Sequence, residues 1–172
     1  MRQAAFDVLY REYYVRVLGL CRRLLNSTDQ AEDAAQEVFT RAYRQFGKYD
    51  SARPFWQWIA AISNNYCIDL LRQRTRSSAL FGDEQTEINQ LSSHDEPILD
   101  QLISFEHADA LNEAIATLPD KYRVPLVLAC LNESSYDDIA EQLEISRNHV
   151  GVLVLRAKKQ LRERILAKGV NA

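Results

Sequence analysis

Apolar residues recur at helical spacing along most of this chain. Phe6, Leu9, Tyr13, Val17, Leu20 and Leu24 predict a first helix over residues 6–25. The turn Asn26-Ser27-Thr28-Asp29 offers several N-caps for a second helix, about residues 30–46. Its inner face is Ala35, Val38, Phe39 and Ala42, which leaves Asp33, Gln36, Glu37 and Arg41 outside. Gly47, Asp50, Ser51 and Pro54 mark a loop over residues 47–54. A third helix then runs from Phe55 to Arg76. Phe55, Ile59, Ile62, Tyr66 and Leu70 form its apolar stripe, and Asn65, Asp69, Arg72 and Arg76 form a polar stripe beside it.

The pattern fades after Arg76. Residues 77–106 are acidic and hold little periodicity, so a flexible linker is expected there, with short helical fragments near residues 98–103. Periodicity returns with Ala110, Leu111, Ala114, Ile115 and Leu118, a short helix ending at Pro119. A further helix over residues 120–130 contains Pro125, which removes one backbone hydrogen bond and should kink it. Ser134 or Ser135 then caps a helix whose core face is Ile139, Ala140 and Leu143. A tight turn at Glu144-Ile145-Ser146 follows, and Ser146 caps a last helix that packs Val150, Leu153 and Leu161 inward. This is the helix-turn-helix pattern. Its turn usually takes glycine where this chain has Glu144, at a cost of roughly 1 kcal/mol for a left-handed residue. The predicted fold is all-α: two small helical domains, residues 1–76 and 107–168, joined by the acidic linker 77–106.

Charge sharpens this division. The net charge of −3 alone argues against a nucleic-acid binder. Residues 1–76, however, carry 12 Lys and Arg against 8 Asp and Glu, a charge of +4. Residues 77–120 carry 10 acidic and no basic residues, and residues 121–172 carry 9 basic against 6 acidic. Two basic modules flanking an acidic middle suit two nucleic-acid-facing domains. No apolar run is long enough to span a bilayer, so no membrane insertion is expected. The first residues lack a signal-peptide core, so a cytoplasmic protein is expected. Cys21, Cys67 and Cys130 sit apart in apolar contexts, as expected of reduced, buried thiols. Neither they nor the histidines have metal-ligand spacing. No phosphate loop or nucleophile–base set stands out, so neither an enzyme nor a cofactor is expected.

The chemistry-bearing residues fall in three places. Lys48, Tyr49 and Arg53 in the loop, with Trp56, Asn65, Asp69, Arg72 and Arg76 on the third helix, combine stacking rings, an amide that reads base edges and cations for phosphate. Taken alone, that helix reads more readily as an amphipathic core helix with a basic last turn than as a nucleic-acid site. Ser146, Arg147, Asn148 and His149 open the last helix, where such helices reach base edges, and Arg156 and Lys159 suit phosphate. Asp33, Gln36, Glu37 and Phe39 belong to a helix whose carboxylates and amides could dock a partner.

Together these motifs resemble the extracytoplasmic-function (ECF) sigma factors of bacterial RNA polymerase. The resemblance runs from Phe6-x-x-Leu-Tyr10 through Ala31-Glu-Asp-x-x-Gln-Glu-Val-Phe39, its most specific block, to Phe55-x-x-Trp58-Ile59, Asn65, Asp69 and Arg72. It resumes at Leu118-Pro119, Arg123, Ser135-Tyr-x-x-Ile-Ala140 and Arg156-Ala157. It implies that Asp33, Gln36 and Glu37 dock on core polymerase, with Phe39 mainly packing. It implies that the loop and third helix melt and bind the −10 element of promoter DNA, with Asn65 at the pocket for an unpaired base. It implies that residues 146–159 enter the major groove at −35, that the linker threads toward the RNA channel, and that an anti-sigma factor holds the protein inactive. Where the family often has Gly-Thr-Val-Lys-Ser-Arg, this chain has Asn148-His-Val-Gly-Val-Leu153, so two usual cations are missing.

Two other readings compete. A free-standing helix-turn-helix regulator explains residues 134–162 but leaves the Ala31–Phe39 block without purpose. A sigma-like adaptor that binds only protein draws support from the weakened recognition helix.

Overall fold

The computed structural model describes residues 2–75, 80–81 and 108–169. Their regular elements are all helices, and the chain divides into two units, residues 1–77 and 78–172. The expected linker lies outside the described residues except for Leu80 and Phe81.

The first unit holds α1 (Arg2–Leu25), α2 (Thr28–Gln45) and α3 (Phe55–Thr75). Asn26 takes a left-handed φ of 53° in the turn after α1. Ser27 then caps α2, its hydroxyl oxygen accepting from the Gln30 amide. The inner face of α2 is mostly alanine: Ala31, Ala34, Ala35 and Ala42 are all buried. Small residues there allow α1 and α3 to approach closely, and Val17, Leu20, Cys21, Leu24 and Leu25 of α1 fill the core beside them. One end is aromatic: Phe39 is ringed by Phe6, Tyr10 and Tyr14 at centroid distances of 6.2, 4.7 and 6.0 Å.

The buried face of α3 is rotated from the stripe that the spacing predicts. Phe55 and Ile59 are buried as expected, but Ala60, Ser63, Asn64, Cys67, Ile68 and Leu71 complete the face. Ile62, Tyr66 and Leu70 lie half-buried at its flank. The pattern misleads because two polar residues hide in the core. Ser63 satisfies its hydroxyl locally by donating to the Ile59 carbonyl at 2.8 Å, so burying it carries little penalty.

The second unit holds α4 (Ala108–Ala116), α5 (Asp120–Leu126), α6 (Tyr136–Leu143) and α7 (Arg147–Ala167). Pro125 sits inside α5, and a π-helical turn over Val127–Leu131 follows it. The Asn132 amide there donates to the Val127 carbonyl, five residues back, at 3.2 Å. The expected kink therefore takes the form of a widened turn. Arg123 is buried, donating to the Leu118 carbonyl at 2.9 Å and pairing with Asp120. Lys168, just past α7, pairs with Glu113 of α4 at 2.7 Å.

Helices α6 and α7 form the helix-turn-helix. Ser135 caps α6 by accepting from the Asp138 amide, and Ser146 caps α7 by accepting from the His149 amide, both at 3.1 Å. Between them Glu144 stands at φ 57° and ψ 41°, the left-handed conformation that this corner demands. Ile139, Leu143 and Val150 are buried beneath it.

Candidate nucleic-acid interface

The loop between α2 and α3 is built around Tyr49. Its hydroxyl donates to the Arg53 carbonyl at 2.6 Å, and its ring stacks on Phe46 and meets Trp58 at 5.1 Å. Asp50 closes the turn by accepting from the Ala52 amide at 2.9 Å. Tyr49 is therefore half-buried scaffold, and Lys48 and Arg53 are held exposed on either side of it. Farther along α3, Asn65 and Asp69 are exposed, and Arg72 approaches Asp69 at 3.9 Å. Arg76 lies outside the described residues.

Trp56 differs from the open stacking platform that the sequence suggests. The Arg16 guanidinium lies 3.7 Å from its ring centroid, and Tyr13 runs nearly parallel to it at 6.5 Å. The ring is occupied within the unit, and its partner Arg16 is an exposed cation that the sequence reading missed. Arg16 lies three residues after Tyr13 and shares its face of α1; nothing local in the sequence shows that α3 brings Trp56 there.

On α2, Asp33 and Gln36 are exposed. Glu37 accepts from Arg41 at 2.8 Å, and the Arg41 guanidinium lies 4.3 Å from the Tyr66 ring. Burial, and after it the Glu37 carboxylate, push the Tyr66 phenol above its ordinary range. Phe39 is 3% exposed and belongs to the aromatic core, so it packs beneath α2.

In the second unit, Arg147 and Asn148 are exposed at the start of α7. Arg147 faces Asp137 at 3.5 Å with both side chains mostly in solvent, a weak pairing that a phosphate can displace. Ser146 keeps an exposed hydroxyl whose oxygen caps the helix. His149 corrects the expectation that it reaches a base edge. It is 8% exposed, and its Nε2 donates to the carbonyl of Phe81, itself buried. The geometry follows from its place on the helix, one step from the core residue Val150. Lys159 is exposed and Arg156 half-buried. Leu153, where the resembled family has a cation, is buried.

The first unit thus combines exposed cations, the exposed amide of Asn65 and packed rings, and the second unit presents exposed Arg147, Asn148 and Lys159 on α7. Among the described residues there is no cluster of three or more His, Cys, Asp or Glu that holds a metal ion. No described helix is long and apolar enough to cross a membrane.

Residues 9–77 match the family Sigma-70 region 2, and residues 108–161 match Sigma-70, region 4. The chain is 32% identical over 168 residues to the ECF RNA polymerase sigma factor SigW of Bacillus subtilis, covering 95% of this chain and 90% of that protein. It is 28% identical to the RNA polymerase sigma-H factor of Pseudomonas aeruginosa, covering 91% and 84%. Among solved structures, the sigma factor RpoE of Bartonella quintana, crystallised with the anti-sigma factor NepR, superposes with a TM-score of 0.62. That alignment covers 98% of this chain and 99% of the other at 20% identity, a likeness of fold.

Proposed function

The chain belongs to the ECF sigma factors, RNA polymerase subunits for transcription initiation, and from that membership we propose how its residues divide the work. Residues 1–76 bind core polymerase and the −10 element, residues 107–168 bind the −35 element, and residues 77–106 link them. The observation that carries this division is the exposure pattern of α2 and α3. On α2, Asp33 and Gln36 face solvent while Phe39 packs beneath them. On α3, Asn65 and Asp69 face solvent, and Phe55 and Trp58 pack together at the start of the helix.

The physics of melting supports the second assignment. Taking a base out of the stack costs a few kcal/mol, which hydrogen bonds to its exposed edge and contact with aromatic rings offset. Asn65 supplies an amide for such an edge. Lys48, Arg53, Arg72 and Arg16 supply cations for the phosphates around it. At −35, Arg147 and Asn148 approach base edges, and Ser146, Arg156 and Lys159 approach the backbone. His149 contributes by packing the helix start. Asp33, Gln36 and, on releasing Arg41, Glu37 dock on polymerase.

The protein acts without catalysis of its own and without a cofactor, in the cytoplasm where polymerase works. An anti-sigma factor is the fitting regulatory partner, supported by the bound state of the relative from Bartonella quintana.

Run-off transcription tests the reading: core polymerase from the source organism and a pool of its promoter fragments, with and without this protein. Transcripts that start at defined sites only when the protein is present are the expected result. Failure to bind that core refutes it. Binding without transcripts points to a protein-only adaptor.

A further inference from the structure

The outward face of α7 is apolar where it should be charged. Asn148, Val152, Leu155 and Lys159 recur at steps of four, three and four, so they share one face. Val150, Val154, Ala157 and Leu161, on the opposite side, are buried. Asn148 and Lys159 are exposed, and Val152 and Leu155 are half-buried, outside that core. Two branched apolar side chains thus occupy the middle of a face that lies between an amide and a cation. Gly151 beside them is not forced by crowding: an added Cβ meets only Tyr136 Cε2, at an ordinary 3.7 Å. A glycine there costs a helix about 1 kcal/mol and leaves the flank of Val152 bare.

Basic residues surround this stripe. Arg147 precedes it, Arg156 and Lys159 lie along it, and Arg162 follows it. That setting fits a polyanion better than the apolar face of a protein. A duplex major groove has one apolar group on its base edges, the thymine 5-methyl. Arginine–guanine pairing, the commonest specific contact, needs a guanidinium; Arg147 supplies one at the helix start, and positions 148, 152 and 155 supply none. Asn148 is the residue type that pairs with adenine through N6 and N7.

We propose that Val152 and Leu155 read thymine methyl groups, with Asn148 reading an adenine, so that the part of the −35 element beyond the base at Arg147 is A·T-rich and recognised largely by methyl contact. The proposal rests on α7 being the recognition helix, as set out above. Lys159 and Arg156 then hold the phosphates that flank the contacted bases.

The test replaces thymine with deoxyuridine, which removes the methyl and leaves base pairing unchanged. The probes are duplexes carrying a promoter that run-off transcription identifies, substituted at one −35 thymine at a time. Holoenzyme affinity is measured by competition against the unsubstituted duplex. One or two substitutions should weaken wild-type binding by about fourfold each, the effect of uncovering one methyl-sized group. Val152→Ala or Leu155→Ala should abolish the sensitivity at one thymine and keep it at the other. The wild-type series needs no variant, so the test does not depend on how the substitutions fold. Equal binding of every deoxyuridine probe, with Arg147→Ala still weakening binding, overturns methyl readout and leaves α7 as the recognition helix. Equal binding of a duplex with a scrambled −35 element overturns both.

Discussion

Replacing Glu144 by glycine should stabilise the second unit. Glu144 holds φ 57° and ψ 41°, and its amide closes the end of α6 by donating to the Ala140 and Glu141 carbonyls. A side chain with a Cβ pays roughly 1–2 kcal/mol in this conformation. Glycine escapes that cost but loses about 0.5–1 kcal/mol more backbone entropy on folding. The net gain is about 0.5–1 kcal/mol. Glu144→Ala separates this backbone effect from whatever the carboxylate contributes, because alanine removes the carboxylate and keeps the Cβ. Glycine should therefore exceed both glutamate and alanine. Tryptophan fluorescence is blind to the change, since Trp56 and Trp58, the two tryptophans, both lie in the first unit. Hydrogen exchange of the Ile139, Leu143 and Val150 amides reports it instead, slowing about two- to fivefold where exchange needs unfolding of the unit. Exchange in the glycine variant as fast as in the alanine variant would refute the argument that the corner is strained.

Four further outcomes follow from the geometry. Asn65→Ala should weaken discrimination among −10 sequences in run-off transcription while polymerase binding stays normal; a loss of that binding would contradict its place on α3. Asp33→Arg should weaken binding to core polymerase about tenfold or more in a competition assay, since it reverses a charge on the exposed face of α2. Asp120→Ala should lower the stability of the second unit by about 2 kcal/mol in urea, because Arg123 stays buried with one partner fewer. Hydrogen bonding with Cys21, and after it burial, push the Cys67 thiol pKa well up, so at neutral pH it stays protonated. A disulfide reagent should accordingly label half-buried Cys130 first, and Cys21 and Cys67 only when the first unit opens.

Most of the helices were legible because capping and periodicity act locally. Ser27, Ser135 and Ser146 each start a helix by the same hydroxyl contact, and each is visible as a serine before an apolar pattern. The strained corner at Glu144 was legible too, since the turn geometry is fixed whatever residue occupies it. The core face of α3 was not, because Ser63 and Asn64 are polar and buried. Periodicity counts them as surface. The surroundings of Trp56 and His149 were hidden for a different reason. Each looks available on its own helix, and each is engaged by a residue distant in sequence, Arg16 and Phe81. The basic, amide and aromatic inventory of the interface was readable; which members face outward depends on packing between helices.

The stitching of α3 onto α2 has a mechanical meaning. Arg74, at the end of α3, holds the Leu25 carbonyl with both terminal nitrogens at 3.3 Å and also pairs with Gln30 on α2. Midway along, Arg41 of α2 grips the Tyr66 ring. Helix α3 is thus pinned at its centre to α2, the helix proposed to sit on polymerase, and at its end to both α1 and α2. In the proposed −10 complex, tension on a base at Asn65 would reach α1 and α2 through those two arginine contacts. An opened strand held on α3 would thus bear on the interface between helices rather than on a loop.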